Sequence, residues 1–408
     1  MPTRTRRHPP TTGAAAAAVT RVRRHLRPRR PTAPGRRRAA PTGPVARPPT
    51  SFVLLLGLVA VLLFIGLVMV LSASSVEALR EYGSSWVFFV RQVLWVVLGI
   101  GALALTARVD YRRWRRLGVL LVGGSLALLA LVLVPGIGVA VGGASRWLGV
   151  GQFRVQPSEL AKLALLVFAA DLLARRHEHV GDYRLTVVPV LTVLGAVGGL
   201  VMLQPDMGTA TVLTVIALTV LFVAGTPLPA MSSIVAGASV LALLFAWSAD
   251  YRRARLTAFL DPWSDAGNTG YQIAQSLIGQ AEGGLTGVGL GASRAKWGFL
   301  PNAHTDFIFA ILGEEAGLLG SLLVVALFAG FAVLGIRTAF RAPDRFGTLL
   351  AAGITAWVVG QAVVNVGAVV GVLPVTGVPL PFVSFGGSSL VITMAATGIL
   401  LNVARQAR

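Results

Sequence analysis

The side chains with the strongest chemical character lie together in FLPNAHTDFIFAILGEEAG, residues 299–317. His304, Thr305 and Asp306 stand at the mouth of an apolar run, and two adjacent glutamates, Glu314 and Glu315, lie within it. Ionisable groups inside a membrane span are costly unless paired or wetted, so they usually mark a functional cavity. Asp306 alone would suit a helix N-cap. The glutamates resist that explanation because they lie about eight residues, roughly 12 Å, into the helix. At about 100° per residue Glu314 falls some 80° from Asp306, and Glu315 falls on the opposite side. Asp306 and Glu314 are therefore expected to face one cavity, with Arg91 or Lys162 as the partner of Glu315.

Four further constellations carry polar chemistry. In QPSELAK, residues 156–162, Glu159 and Lys162 are three apart and share a helix face. They can neutralise each other at a helix start, or the lysine can meet a phosphate at the membrane boundary. In QPDMGT, residues 204–209, Pro205 ends one segment and Asp206 suits the N-cap of the next. In YRRARL and DPWSD, within residues 251–265, three arginines including Arg255 either pair with Asp261 and Asp265 or form an anion site for a phosphate or pyrophosphate. In PLPFVSFGGSSL, residues 379–390, prolines, paired glycines and serines such as Ser384 and Ser388 predict a broken helix. Non-helical backbone at membrane depth survives only where protein or a wet cavity satisfies it; tight packing through small residues is the alternative. Ser293 and Lys296 match S-x-x-K, but no S-D-N or K-T-G accompanies them, so a penicillin-binding nucleophile is rejected.

The elements that position these groups are apolar helices. Hydrophobic residues make up 55% of the chain and come in long uninterrupted runs, a pattern of membrane proteins rather than soluble domains. Cysteine is absent, which excludes disulfides and thiolate metal sites. The net charge of +20 does not signal nucleic-acid binding, because 13 of the 34 arginines precede residue 51 and most others sit in short loops. Residues 1–50 are rich in Arg, Pro, Thr and Ala, which predicts a disordered basic cytoplasmic tail. It is too long and charged for the n-region of a cleavable signal peptide. It holds the N-terminus inside, or also binds anionic lipid or a cytoplasmic division protein.

Residues 51–408 hold ten candidate spans, starting near Phe52, Val87, Leu117, Glu159, Leu185, Gly208, Pro229, Phe307, Thr348 and Leu380. With both termini cytoplasmic, the inward segments collect 26 of the 36 Lys and Arg residues, in keeping with the positive-inside rule. Arg91, inside the second span, must snorkel or pair. The expected fold is thus an all-α polytopic membrane protein of about ten transmembrane helices. Residues 249–306 are expected to form one long extracytoplasmic loop. An amphipathic helix with Tyr271, Ala274, Leu277 and Ile278 on its apolar face is expected to lie along the outer surface there, followed by a glycine-rich return. No repeat relates the halves, which argues against an inverted-repeat transporter.

The strings SRWLGVGQFRVQPSELAK, QPDMGT, GYQIAQSLIGQAEGGLTGVGLG, FLPNAHTDFIFAILGEEAG and GVPLPFVSFGGSSL occur in the order found in the SEDS family (shape, elongation, division and sporulation). From residue 52 onward the chain resembles that family of ten-span bacterial membrane proteins. LGEEAG and the long basic extension make it more similar to division members than to elongation members. Phe385, where the family commonly has tyrosine, is the one departure noticed. The resemblance implies a peptidoglycan glycosyltransferase that polymerises lipid II outside the cytoplasmic membrane at the division septum. It also implies a class B penicillin-binding transpeptidase as partner, alongside other divisome membrane proteins. The family's essential loop aspartate falls on Asp306, and its polar cavity residues fall on Glu159, Lys162, Asp206, Arg255 and the segment from Ser384 to Ser388.

On that reading Asp306 takes the proton from a sugar 4-hydroxyl, since a partly desolvated carboxylate is a better base than a fully hydrated one. Arg146, Lys162 or Arg255 would meet the departing pyrophosphate, and a divalent cation (Mg²⁺ or Mn²⁺) at Asp306 could assist. His304 and Glu314 complete the expected substrate-binding set, and no organic cofactor is expected. Two rival readings are a lipid II flippase, which would use the same polar cavity for passage, and a non-catalytic divisome scaffold.

Overall fold

The computed structural model describes residues 49–141, 143–151, 153–247, 253–254 and 258–407. The basic tail and Arg255 lie outside the described residues. Among the described residues eleven long helices follow in order: α1 (Thr50–Tyr82), α2 (Val87–Arg108), α3 (Gly118–Val132), α4 (Pro157–Arg175), α5 (Val187–Leu203), α6 (Met207–Ala224), α7 (Leu228–Trp247), α8 (Tyr271–Gly283), α9 (Ile308–Phe340), α10 (Arg345–Val369) and α11 (Gly387–Gln406).

A helix lies at each of the ten expected spans, and α8 is the amphipathic eleventh. Seven helices (α1, α2, α6, α7, α9, α10 and α11) are long and apolar enough to cross a membrane by length and composition. Two more, α3 and α5, are apolar but shorter. The last, α4, carries Glu159, Lys162, Asp171 and Arg175 and is nevertheless among the most buried helices. A charged helix can sit there because neighbouring helices supply its partners.

Three differences from expectation matter for the site. The protein is not all-α: β1 (Val139–Val141), β2 (Ala144–Val150) and β3 (Phe153–Val155) form a small antiparallel sheet in the loop before α4. Helix α11 begins at Gly387, seven residues after Leu380, because prolines 379 and 381 flank a coil whose Phe382 has φ 65°. In that coil the N–H of Leu380 donates to Ser384 Oγ at 2.8 Å. On α8 the buried residues are Ile273, Ala274, Ser276, Gly279 and Gly283, whereas Ile278 is exposed. The helix packs on α9 and α10, and Ser276 Oγ donates to the Val369 carbonyl at 2.7 Å.

The most extensive helix pair is α2 with α11. Small residues let the two backbones approach: a Cβ on Gly398 would come within 2.0 Å of Thr106 Oγ1. Thr106 Oγ1 also donates across the interface to the Ala395 carbonyl at 2.9 Å. Arg91 meets the demand placed on it by lying over the rings of Tyr82 (5.1 Å) and Phe88 (5.6 Å).

At the opposite ends of these helices, Asp344 caps α10 through the Gly347 N–H and accepts from Tyr111 Oη at 2.7 Å and Arg112 Nε at 2.8 Å. Burial pushes the Asp344 carboxyl up, but these hydrogen bonds outweigh it and hold the group below its ordinary 3.8. Burial, and then the bond to Asp344, raise the Tyr111 phenol.

Candidate active site

Helix α4 opens with Pro157 at its first turn, which suits a position whose N–H would have no intrahelical partner. That start sets Glu159 and Lys162 one turn apart and almost fully buried, 2 and 1% exposed. Lys162 Nζ lies 2.8 Å from Glu159 Oε2, an ion pair that lacks hydrogen-bond angles. The ammonium donates instead to Gln361 Oε1 on α10 at 2.9 Å and sits 5.0 Å from the Trp357 ring centroid. Gln361 passes the connection on, its Nε2 donating to the Pro379 carbonyl at 2.9 Å. The buried lysine thus ties α4 to α10 and, through Gln361, to the coil that precedes α11.

Asp206 caps α6: Oδ1 accepts from the Thr209 N–H at 3.0 Å and Oδ2 from Thr209 Oγ1 at 2.8 Å. Gln156 Nε2, just ahead of α4, donates to the same Oδ2 at 3.1 Å. The Gln156 N–H in turn donates to Ser388 Oγ at 3.1 Å. Arg146, on β2, donates through Nε to the Gln204 carbonyl at 2.9 Å and through Nη2 to the Pro205 carbonyl. Arg146, Asp206 and Ser388 are therefore joined around Gln156 and the 204–206 turn. Arg146 spends part of its guanidinium on carbonyls at the end of α5.

Asp306 is half-buried and sits just ahead of α9. Its main-chain carbonyl accepts from Asn365 Nδ2 at 2.7 Å, and the same nitrogen donates to the Val378 carbonyl at 2.7 Å. Across from its carboxylate is Gly377, φ 73°, where an added Cβ would stand 3.5 Å from Asp306 Oδ2. Segment 376–378 also packs on Gly208 in the first turn of α6, where a Cβ would meet the Thr376 carbonyl at 2.7 Å. One coil thus touches both the Asp306 loop and the helix start that Asp206 caps.

His304 lies 2.9 Å from Glu77 Oε2 on α1 and stacks among Phe88 and Phe385. Its carbonyl accepts from the Phe385 N–H at 3.0 Å, and the Ser384 carbonyl accepts from Gln92 Nε2 at 3.3 Å. Ser384 and His304 are therefore held by neighbouring strands of coil.

Glu314 and Glu315 have a different setting from the expected one. Glu314 accepts from Ser293 Oγ, from the Arg294 N–H and from the Ala295 N–H, all in the loop after α8. The partner of Glu315 is Lys296 at 3.2 Å, neither Arg91 nor Lys162, and Ser72 Oγ donates to the same oxygen at 2.6 Å. Just beyond, α9 breaks at Gly317, φ 68°. The glycine-rich loop mends the break: N–H groups of Val288 and Gly289 bond the carbonyls of Glu314 and Glu315, and those of Leu318 and Leu319 bond the carbonyls of Gly284 and Leu285. A side chain at Gly317 would collide with this loop, its Cβ 2.4 Å from the Gly287 nitrogen.

The expected set omitted Gln361, Asn365, Glu77, Ser72 and Gln92. Gln361 and Asn365 carried a readable signal, being polar residues spaced i, i+4 on one face of an otherwise apolar helix. The others are long-range partners that spacing does not reveal.

The profile of a family described as a cell cycle protein, FtsW/RodA/SpoVE, matches residues 52–408. The chain belongs to the FtsW/RodA/SpoVE family. It is 44% identical over 355 residues, 86% of this chain and 93% of the relative, to a probable peptidoglycan glycosyltransferase FtsW of Geobacter metallireducens. It is 42% identical over 357 residues to the stage V sporulation protein E of Bacillus subtilis, covering 87% of this chain and 97% of that one. Among solved structures, a chain of a peptidoglycan synthase complex that coordinates polymerization and crosslinking matches with TM-score 0.71 and 32% identity, over 86% of this chain and 97% of that one. The rod shape determining protein RodA of Thermus thermophilus matches with TM-score 0.65 and 31% identity, over 86 and 96%. This FtsW/RodA/SpoVE member is accordingly a multi-pass membrane protein with a RodA-like fold.

Proposed function

We propose that this chain is a peptidoglycan glycosyltransferase that polymerises lipid II at the outer face of the cytoplasmic membrane, with Asp306 as general base. Family membership over residues 52–408 supports the reaction class. The observation that carries the residue assignment is the setting of Asp306: a half-buried carboxylate whose backbone is clamped to α10 and whose carboxylate borders a glycine. A base must be held in place yet reachable by the hydroxyl it deprotonates.

In the step, the 4-oxygen of one sugar forms a bond to C1 of the lipid-linked donor. The C1–oxygen bond to pyrophosphate breaks, undecaprenyl pyrophosphate leaves, and the hydroxyl proton passes to Asp306. A single displacement turns an α-linked donor into a β-linkage, so one carboxylate suffices. Lys162, Arg146 and Arg255 are the cations proposed to meet the pyrophosphate. Lys162 does so as a buried charge that releases Glu159, and Arg146 through the guanidinium hydrogens that the 204–205 carbonyls leave over.

Among the described residues no three His, Asp or Glu converge on a metal site. Mg²⁺ is commonly held by one or two carboxylates together with substrate phosphates, a donor set that Asp306 and the pyrophosphate would provide. The ion would supply charge neutralisation there. Glu314 is proposed as a scaffold group, since its carboxylate is committed to the 293–295 loop. We further propose ten spans with both termini cytoplasmic, a septal location, and a class B penicillin-binding transpeptidase as partner, in line with the crosslinking complex among the similar structures.

The test is polymerisation of purified lipid II by the full chain, alone and with that partner, comparing native protein with Asp306→Ala. Loss of glycan strands is expected; undiminished synthesis would end the assignment.

A further inference from the structure

A small cavity beside Asp306 is lined by Phe307, Asn365, Thr376, Gly377 and Val378 among others. Asn365 is 2% exposed, and both hydrogens of its amide nitrogen go to backbone carbonyls, those of Asp306 and Val378, each at 2.7 Å. Two carbonyl acceptors can be served only by the nitrogen end of the amide, so the orientation of the side chain is fixed. Its Oδ1 is then a buried acceptor with no donor among the described residues. Thr376 Oγ1, on the same cavity, is likewise buried with no hydrogen-bond partner among them. Leaving two such groups without partners side by side is costly in a folded protein. Their shared requirement is an O–H group: Asn365 Oδ1 can only accept, while the threonine hydroxyl accepts or donates.

We propose that Asn365 and Thr376 form a hydroxyl-recognition subsite for the acceptor sugar, holding a hydroxyl next to the one that Asp306 deprotonates. This rests on Asp306 being the base. The chemistry fits a sugar ring, on which hydroxyls stand on neighbouring carbons and present O–H donors a few ångströms apart. Asn365 has two separate duties. Its nitrogen positions the Asp306 backbone, and its oxygen reads the substrate. Thr376 has the second duty alone, because its side chain makes no hydrogen bond to the fold among the described residues.

The experiment measures kcat/KM for glycan synthesis by the full chain with its transpeptidase partner. The probes are lipid II and two analogues whose N-acetylglucosamine keeps the 4-hydroxyl but lacks the 3- or the 6-hydroxyl. With native protein, one analogue is expected to react about three- to tenfold more slowly than lipid II, the worth of one hydrogen bond. Thr376→Val and Asn365→Leu should each lose activity on lipid II and much of the discrimination against that analogue. Thr376→Val keeps the shape of the side chain and removes a buried hydroxyl that has no partner among the described residues, so its thermal stability should equal or exceed that of native protein and the readout does not depend on refolding. If native protein and both variants discriminate equally, the cavity holds a water only and the proposal is overturned. Asp306→Asn is assayed alongside: if it stays active the base assignment fails, whereas an inactive Asp306→Asn with no coupling at Thr376 fails the subsite alone.

Discussion

Two acidic sites less than a dozen residues apart in sequence meet opposite fates. Glu314 and Glu315 are each 1% exposed, and their carboxylates are saturated by loop N–H groups, Ser293, Ser72 and Lys296 but for one oxygen of Glu315. Asp306 is half-buried, is clamped through its main chain, and adjoins polar groups that have no hydrogen-bond partner among the described residues. A carboxylate buried with a full set of donors is an anchor, because moving it would strand every partner. On the proposed assignment, a half-buried carboxylate on a loop clamped through its backbone is held in place at the rim of a cavity, within reach of a substrate hydroxyl. Burial alone, which made the glutamates conspicuous, is on that assignment the weaker functional sign.

That contrast can be broken at either end. Asp306→Asn should lower glycan synthesis by about 10²- to 10⁴-fold, the usual share of a general base, with a melting temperature close to that of native protein. A thermal shift assay beside the polymerisation assay checks both halves. Glu315→Leu should cost about 3–5 kcal/mol of stability by leaving Lys296 buried without its anion. The double variant Glu315→Leu, Lys296→Met should recover much of that loss in denaturant or thermal melts. Ser72→Ala removes a 2.6 Å hydrogen bond to the same carboxylate and should cost about 1.5–3 kcal/mol, the range for bonds to charged groups.

The smallest effect concerns the opposite helix ends. Asp344 is held below its ordinary 3.8, so its contribution is fully present above that pH and is lost as pH falls through the lower folded value. Asp344→Asn should flatten the acid side of the stability–pH curve by less than about 1 kcal/mol, in keeping with its partly exposed Arg112 partner. Melting curves from neutral pH down to the acid limit would show it.

Much of this architecture was legible from local rules. The ten apolar runs each became a helix because a 20-residue apolar segment has few other ways to satisfy its backbone in a bilayer. Pro157 marked the start of α4, and Asp206 capped α6 as its position before Met207 suggested. The broken segment at residues 379–386 was visible in its prolines and glycines. What spacing could not give was long-range pairing. Helical geometry placed Glu315 opposite Asp306 but could not say that a loop 20 residues earlier in the chain would return to meet it. That return depends on the break at Gly317, where the helix lends four backbone groups to the glycine-rich loop. The sheet at residues 139–155 was missed because its strands are short and lie in a glycine-rich loop that local patterning leaves ambiguous. For the proposed site, Asp306, Asp206, Lys162 and Ser388 were marked by residue type, whereas the i, i+4 spacing of Gln361 and Asn365 marked a polar face of α10 without saying which groups it would meet.

The most direct measurement sets Asp306→Asn beside Glu314→Gln in one lipid II polymerisation assay, with rates taken per folded molecule as judged by thermal melts. The account predicts that the aspartate variant is folded and inactive, while the glutamate variant melts earlier yet turns over near the native rate below its melting point. An active Asp306→Asn, or a stable Glu314→Gln that makes no glycan, would contradict it.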